Sequence, residues 1–265
     1  MNTFISGLRF KGKNRLIRLL AEEKQVVIPY SKSKILVDTG EHIGFNLYWN
    51  GGYENEVVWI LDKIIDKDSV CVDIGANIGI YTILCSEKGN KVISFEPHPA
   101  FHQRLLDNIE RNGFKNVTAH QLALSSEKGG AILFSPPDSM RNKSATMKEI
   151  NSELTEKISV KKDTLDNFLA KEARIDFIKI DTDGSDADVI LGGKELIKKF
   201  KPTVLFEYIK EFPEIKARYD EAMSFLKGEG YELFEVLDRE LKEFDGTSDN
   251  FANILAIKKQ HGNRI

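Results

Sequence analysis

The chain has little sulfur and little charge imbalance. Only two of its 265 residues are cysteine, Cys71 and Cys85, and both stand in apolar stretches. Thiols so placed read as buried free cysteines in a reducing compartment, which excludes a disulfide framework or a cysteine metal cluster. Lys and Arg number 38 and Asp and Glu 41, for a formal net charge of −3. That balance offers no global electrostatic case for nucleic acid or an anionic membrane as partner. No apolar run approaches the roughly 20 residues that span a bilayer, so no transmembrane segment is expected. The opening "MNTFISGLRFKGKNRLIRLL" lacks the core of a signal peptide, because Arg9, Lys11 and Lys13 interrupt it. Internal repeats and low-complexity tracts are absent. Hydrophobic residues make up 41% and charged residues 30%, an ordinary globular balance. A cytoplasmic enzyme or binding protein is the expected class.

What is present is an alternation. Residues 1 to 50 read as an N-terminal cap: a helix over 4–23, then "QVVIPY" and "KILVDT" as strands joined by "SKSK". In that helix "RLIRLLAEE" puts leucine and isoleucine on one face, which suits packing across the main domain. A helix is expected near 55–65. From there strands and helices alternate to the end of a domain spanning residues 51–265. "SVCVDIG", "KVISFEP", "NVTAHQLAL", "IDFIKIDTDG" and "PTVLFEY" are strands; "GIYTILCSEKG", "AFHQRLLDNIERNG", "LDNFLAKEA" and "DADVILGGKELIKKF" are helices. "AILFS" and "ISVKKDT" read as a strand pair. This predicts an α/β fold, a doubly wound and mostly parallel sheet covered on both faces. "YELFEVLD" and "NFANILAIK" would add an antiparallel C-terminal edge. The polar segment 135–157 does not fit the alternation and reads as a lid or substrate loop.

"VCVDIGANIGIYT", residues 70 to 82, carries the first chemical signal. In a doubly wound sheet, ligands bind beyond the carboxyl ends of the strands, where the strand order reverses. A dinucleotide fingerprint there reads G-x-G-x-x-G, which lets backbone approach a pyrophosphate. Here the order is Gly75, Ala76, Asn77, Ile78, Gly79; the middle glycine is missing, and Asp73 stands two residues ahead. A carboxylate is unfavourable beside a pyrophosphate and favourable beside a cation. S-adenosylmethionine carries an ammonium and a sulfonium against one carboxylate, so Asp73 suits it. Glu96 ends the next strand about 20 residues after Gly75, where an acidic side chain grips a ribose diol. NAD uses that feature too, so Glu96 alone does not discriminate. Ala123 and Leu124, at the end of the third strand, would stand beside the adenine.

These stretches resemble FkbM-family methyltransferases over roughly residues 51 to 257. "DIGANIG", "FEPHP", "DTLDNFL" and "DFIKIDTDG" carry the likeness. The resemblance implies a class I methyltransferase (Rossmann-like) fold, S-adenosyl-L-methionine as cofactor, and O-methylation of a sugar or natural product. His98 stands where the family often has asparagine. "DTDGSDAD" stands where many members have a glutamate and a bulky residue after the glycine. The donor site is therefore expected at Glu54, Asp73, Gly75, Ala76, Asn77, Gly79, Glu96, Pro97 and Ala123.

Methyl transfer to a hydroxyl needs close alignment and a proton acceptor. The carboxyl ends of the fourth and fifth strands offer Lys179, Asp181, Asp183 and Glu207 as catalytic candidates. Period-2 alternation puts Lys179 and Asp181 on one face, and a lysine in an apolar strand calls for a carboxylate partner. That pairing would orient the carboxylate or lower its pKa, with Asp181 or Asp183 as base or acceptor anchor and Lys179 tuning it; a histidine or lysine base would also need no metal. His42 in the cap, with Arg141 and Lys143 in the long loop, could meet a saccharide or small-molecule acceptor. A divalent cation held by Asp181, Asp183 and Glu207 is the alternative to metal-free catalysis. Two other functions stay open: an NAD-dependent oxidoreductase, and an inactive module that binds a nucleoside.

Overall fold

The computed structural model describes residues 24–135, 146–147, 156–209, 213–246 and 251–258. The helix expected over 4–23, Arg141, Lys143 and most of the 135–157 segment lie outside the described residues. The strands are β1 (Gln25–Tyr30), β2 (Ser33–Asp38), β3 (Val70–Ile74), β4 (Lys91–Phe95), β5 (Val117–His120), β6 (Ala123–Leu124) and β7 (Gly129–Ser135). They continue with β8 (Glu156–Asp163), β9 (Phe177–Ile180), β10 (Thr203–Ile209), β11 (Tyr231–Leu237), β12 (Glu240–Glu243) and β13 (Phe251–Lys258).

Eight of them form one sheet in the order β12-β11-β13-β10-β9-β3-β4-β5. From β5 to β10 all neighbours are parallel. Strand β13 enters antiparallel to both β10 and β11, and β12 folds back antiparallel on β11. This is the class I methyltransferase architecture, with the antiparallel strands gathered at its C-terminal end. The chain starts the parallel part at β3, builds outward through β4 and β5, then returns to β9 on the other side. The switch point thus falls between β3 and β9, where a ligand crevice is expected.

Alternation divides each strand between two apolar layers. Val72, Ile74, Ile93, Phe95, Ile178, Ile180 and Phe206 pack with the helices Asp186–Leu191, Lys194–Phe200 and Pro213–Gly228. Cys71, Val92, Phe177 and Leu205 face the other way, against Ile60 and Leu61 of helix Asn55–Ile64 and Ile83 and Leu84 of helix Ile80–Lys88. Both cysteines are buried and free, as expected. Burying side chains on both faces is what lets a parallel sheet read as near-continuous apolar runs.

The hairpin β1–β2 joins this second layer. Ile35 and Val37 are fully buried in it. Two asparagines of helix Pro99–Asn112 satisfy the outer edge of β2. Asn108 Oδ1 accepts from Leu36 N at 2.7 Å, and Asn112 Oδ1 accepts from Lys34 N at 2.9 Å. Asn108 Nδ2 also donates to Ile78 O at 2.9 Å, tying the hairpin to the turn after β3.

Three expectations differ from the structure. The strand expected over 116–124 ends at His120; Leu122 N turns back to His120 O, and Ala123–Leu124 leaves to pair with β8 in a second sheet, β6-β8-β7. The single helix expected over "DADVILGGKELIKKF" is two, broken at Gly192–Gly193. A Cβ on Gly192 would stand 2.1 Å from Ser125 O, so the break lets the backbone of the second sheet come close. The Asp166 carboxylate then caps the second helix, accepting from Glu195 N and Leu196 N at 3.1 and 2.7 Å. Of "LDNFLAKEA" only Leu165–Phe168 is helical. No described helix is long and apolar enough to cross a membrane.

Asn108 has no exposed surface. Asn108→Ala would leave the Leu36 N–H and the Ile78 carbonyl without this partner. The expected loss is about 2–3 kcal/mol in a urea titration, since each stranded buried group costs roughly 1–3 kcal/mol. A loss below about 0.5 kcal/mol would show that the hairpin is not pinned through this residue.

Candidate active site

A cavity of about 260 Å³ lies at the carboxyl ends of β3, β4 and β9. Its floor is the turn after β3. Gly75 and Ala76 both donate backbone N–H to Phe95 O, at 2.9 and 3.0 Å, which draws the turn onto β4. Gly75 has φ +77°, and a Cβ there would stand 1.7 Å from Asp181 O. Only glycine allows this turn to touch the end of β9. Asn77 follows in the left-handed region at φ 49°.

One wall is acidic at its base and apolar above. Glu96 is 5% exposed. Its Oε2 accepts from Asn77 N and its Oε1 from His98 N, both at 2.8 Å. Burial pushes its pKa up to about 7 against those two donors. Pro97, Phe101, Leu122, Ala123 and Leu124 continue the wall, with Leu133 and Met147 from the second sheet and the loop after it.

The opposite end is charged and aromatic. Lys179 is 3% exposed and donates to Asp181 Oδ2 at 2.6 Å. Its ammonium lies 4.1 Å from the centre of the Tyr81 ring. Asp73 is its register partner on β3. Burial disfavours the ammonium, but Asp181, Asp73 and Glu54 outweigh burial and raise its pKa above the ordinary lysine value. Lys179 therefore stays charged. Tyr81 donates its hydroxyl to Glu54. His42, Ile43, Tyr53, Thr182 and Asp183 complete this end.

Most of the expected site residues meet here. Gly75, Ala76, Asn77, Glu96, Pro97, Ala123, Lys179, Asp181, Asp183 and His42 line the cavity; Asp73, Gly79, Glu54 and Glu207 do not. Asp73 is buried beneath the floor, where its Oδ2 accepts from Thr82 Oγ1 at 2.6 Å. Among the described residues its Oδ1 has no hydrogen-bond partner. Gly79, at φ 95°, starts helix Ile80–Lys88. Glu207 stands behind Asp181 on β10, its backbone N–H on Asp186 Oδ1. Burial and Asp181 raise the Glu207 pKa to about 9. Asp181, Asp183 and Glu207 do not converge as ligands; among the described residues no three His, Cys, Asp or Glu side chains do.

Sequence reasoning missed Tyr53 and Tyr81. Tyr81 sits in an apolar helix that reads as core, and its burial of all but 3% agrees with that. Tyr53 lies in a glycine-rich turn with no periodicity to mark it. The only available signal was its place beside Glu54 in "YENE".

The family model for the methyltransferase FkbM domain matches residues 73–233. Methyltransferase 1 of Beauveria bassiana is 29% identical over 178 residues, covering 56% of this chain and 72% of that protein. The hexuronic acid methyltransferase AglP of Haloferax volcanii is 31% identical over 148 residues, covering 52% of this chain and 56% of that protein. The crystal structure of methyltransferase FkbM from Methylobacillus flagellatus superposes with a TM-score of 0.48 at 15% identity, over 80% of this chain and 52% of its own. The chain thus spans about half the length of the latter two.

The buried Glu96 makes a testable contribution to stability. Its pKa rises from the ordinary 4.5 to about 7 in the folded chain. Between those values the folded state binds more protons than the unfolded state, so stability falls as pH rises through that window. The whole shift corresponds to at most roughly 3–4 kcal/mol. Glu96→Gln should flatten the unfolding free energy between pH 4.5 and 7. Asp186, raised to about 6, and Glu207, raised to about 9, both chiefly by burial, keep a residual slope of the same sign. Equal slopes in urea titrations of both proteins would contradict the burial of an ionisable Glu96.

Proposed function

The chain belongs to the FkbM family of S-adenosylmethionine-dependent methyltransferases, and on that premise we propose that it O-methylates a hydroxyl of a saccharide. The observation that carries this is one cavity with two unlike ends, Glu96 in an apolar wall and the Lys179–Asp181 pair opposite. The donor end fits a nucleoside. Each Glu96 oxygen accepts one backbone N–H and keeps a lone pair for one hydroxyl of a ribose diol. Phe101, Leu122, Ala123 and Leu124 offer a purine an apolar slot. The Asp73 carboxylate below the floor adds negative potential toward the methionine ammonium.

When bound, S-adenosylmethionine supplies a methyl group on a positively charged sulfur, already a good leaving group. The protein must align the acceptor and take its proton. Asp181 is the group we assign to that step: it lines the cavity and keeps 30% side-chain exposure. Lys179 orients it through the 2.6 Å bond. Asp183, beside it on the turn after β9, anchors a second hydroxyl. This arrangement uses no metal. Support for a sugar acceptor comes from the Haloferax relative, which is a hexuronic acid methyltransferase.

Calorimetry should show binding of S-adenosylmethionine and its demethylated product, and none of NAD. Glu96→Ala should weaken donor binding tenfold or more, because it removes hydrogen bonds from a charged acceptor. With labelled donor and a panel of sugars, nucleotide sugars and glycans, the wild type should transfer methyl to at least one. Asp181→Asn should lower turnover at least about 100-fold with donor affinity nearly unchanged, the range for loss of a general base. Donor binding without transfer to any hydroxyl would favour an inactive binding module.

The metal question has its own test. Turnover should survive exhaustive chelation. Activity that disappears with chelator and returns with Mg²⁺ or Mn²⁺ would overturn the assignment of Asp181 as base and make these carboxylates ligands.

A further inference from the structure

The match to the family model begins at residue 73, yet His42, Ile43 and Tyr53 line the cavity from ahead of it. Residues 53 and 54 are unusual neighbours. Glu54 adopts φ 44°, the left-handed region that a side chain with a Cβ normally avoids. Tyr53 is then a wall of the cavity, while Glu54 accepts the Tyr81 hydroxyl and acts electrostatically on that of Tyr53. His42 meets the Tyr53 ring edge-on, with centroids 5.7 Å apart at 81°. Glu54, Asp181 and Asp183 are the carboxylates whose charge acts on the Tyr53 hydroxyl. Tyr53 therefore stands at the β9 end of the cavity, with the proposed base, and not beside Glu96.

A pyranose ring has faces of C–H groups and a rim of hydroxyls. An aromatic ring next to carboxylates suits both: the C–H face lies on the negative π-face, and the rim bonds the carboxylates. An acyclic polyol offers the same hydroxyls without a fixed apolar face. We infer that Tyr53 is the platform for the acceptor ring, with Glu54 as its positioning residue, so that residues 42–54 select pyranosides over acyclic polyols. This rests on the saccharide reading of the site. Backbone strain at residue 54 is consistent with such a role, because a glycine or asparagine would turn the chain at less cost but would give up the carboxylate that holds Tyr81 beside Tyr53.

The test uses the full chain with labelled donor and two matched sets of acceptors: methyl glycosides of hexoses and hexuronic acids, and the corresponding alditols. The wild type should use glycosides and leave alditols nearly untouched. Tyr53→Leu should raise the glycoside KM about fivefold to tenfold, with kcat and the donor Kd within about twofold of wild type. Tyr53→Trp should restore most of the lost KM, because it returns an aromatic face. Glu54→Gln should raise the glycoside KM in the same direction, since it removes the charge that acts on Tyr53 and weakens the bond from Tyr81. An unchanged glycoside KM in Tyr53→Leu, or a loss confined to the donor Kd, would overturn the platform while leaving the saccharide reading intact. Equal use of alditols and glycosides by the wild type would also overturn it, and needs no variant to fold. Transfer to none of these acceptors by a wild type that binds donor would sink the saccharide reading, and the platform with it.

Discussion

A single ammonium buried in a parallel sheet organises the active end of this protein. Lys179 is on β9 with Asp73 beside it on β3, Asp181 two residues ahead, and the Tyr81 ring beneath. A buried charge costs several kcal/mol unless paired. Each neighbour meets part of that cost in a different way. Asp181 supplies a direct charge-assisted bond, Asp73 supplies charge from the next strand, and Tyr81 supplies a π-face. In turn Tyr81 is held by Glu54, and Asp73 by Thr82, which also shares a hydrogen bond with Ser94 on β4. Removing the lysine would leave several carboxylates buried together, so the arrangement stands or falls as a unit.

The register of the strands creates this layer. On the face toward helices Asn55–Ile64 and Ile80–Lys88, each central strand starts apolar and ends polar. Cys71 gives way to Asp73, Val92 to Ser94, Phe177 to Lys179 and Leu205 to Glu207. Because side chains repeat with period 2, these changes occur on one face and at one end. The other face stays apolar to the ends of the strands, as Ile74, Phe95 and Ile180 show. The sheet is thus a stable slab whose chemistry is confined to one corner. Gly75 then brings the first turn within contact of the Asp181 backbone, closing that corner from below.

The fold was legible because its signals are local. Strands β3, β4, β9 and β10 were each visible as an apolar run, and helix Pro99–Asn112 as an amphipathic segment closed by Gly113. Glu96 was legible because its distance from Gly75 reflects one βαβ unit of near-constant length. The second sheet was not, because β6 is two residues long and continues the same apolar run as β5. Its separation depends on Ser125 meeting Gly192, a contact between segments far apart in sequence. Asp73 stood out in the sequence, yet its direction did not: period-2 alternation puts it on the face of Lys179, and it lies beneath the cavity that Lys179 lines. The same rule that paired Lys179 with Asp181 contained that answer, had it been applied across strands as well as along one.

The surroundings of the charged groups at the site support the proposal that Asp181 takes the acceptor proton. Lys179 is held as an ammonium by the carboxylates around it and has no lone pair to give. Burial and Asp181 push the Glu207 pKa up to about 9, which disfavours it as a base, and it does not line the cavity. Glu96 is occupied by two backbone N–H groups and stands at the other end of the cavity. Glu54 already receives the Tyr81 hydroxyl and does not line the cavity. Among the described cavity walls that leaves Asp181, Asp183 and His42. His42 accompanies Tyr53 edge-on and shares its Nε2 with Asn46 at 3.3 Å, a geometry that suits a supporting ring. Asp183 follows β9 on a left-handed turn at φ 50° and is exposed, which suits an anchor at the rim. Asp181 is the remaining carboxylate that both faces the cavity and is oriented by a fixed cation. The orientation of the proposed base thus comes from the same lysine that the sheet must neutralise in order to fold.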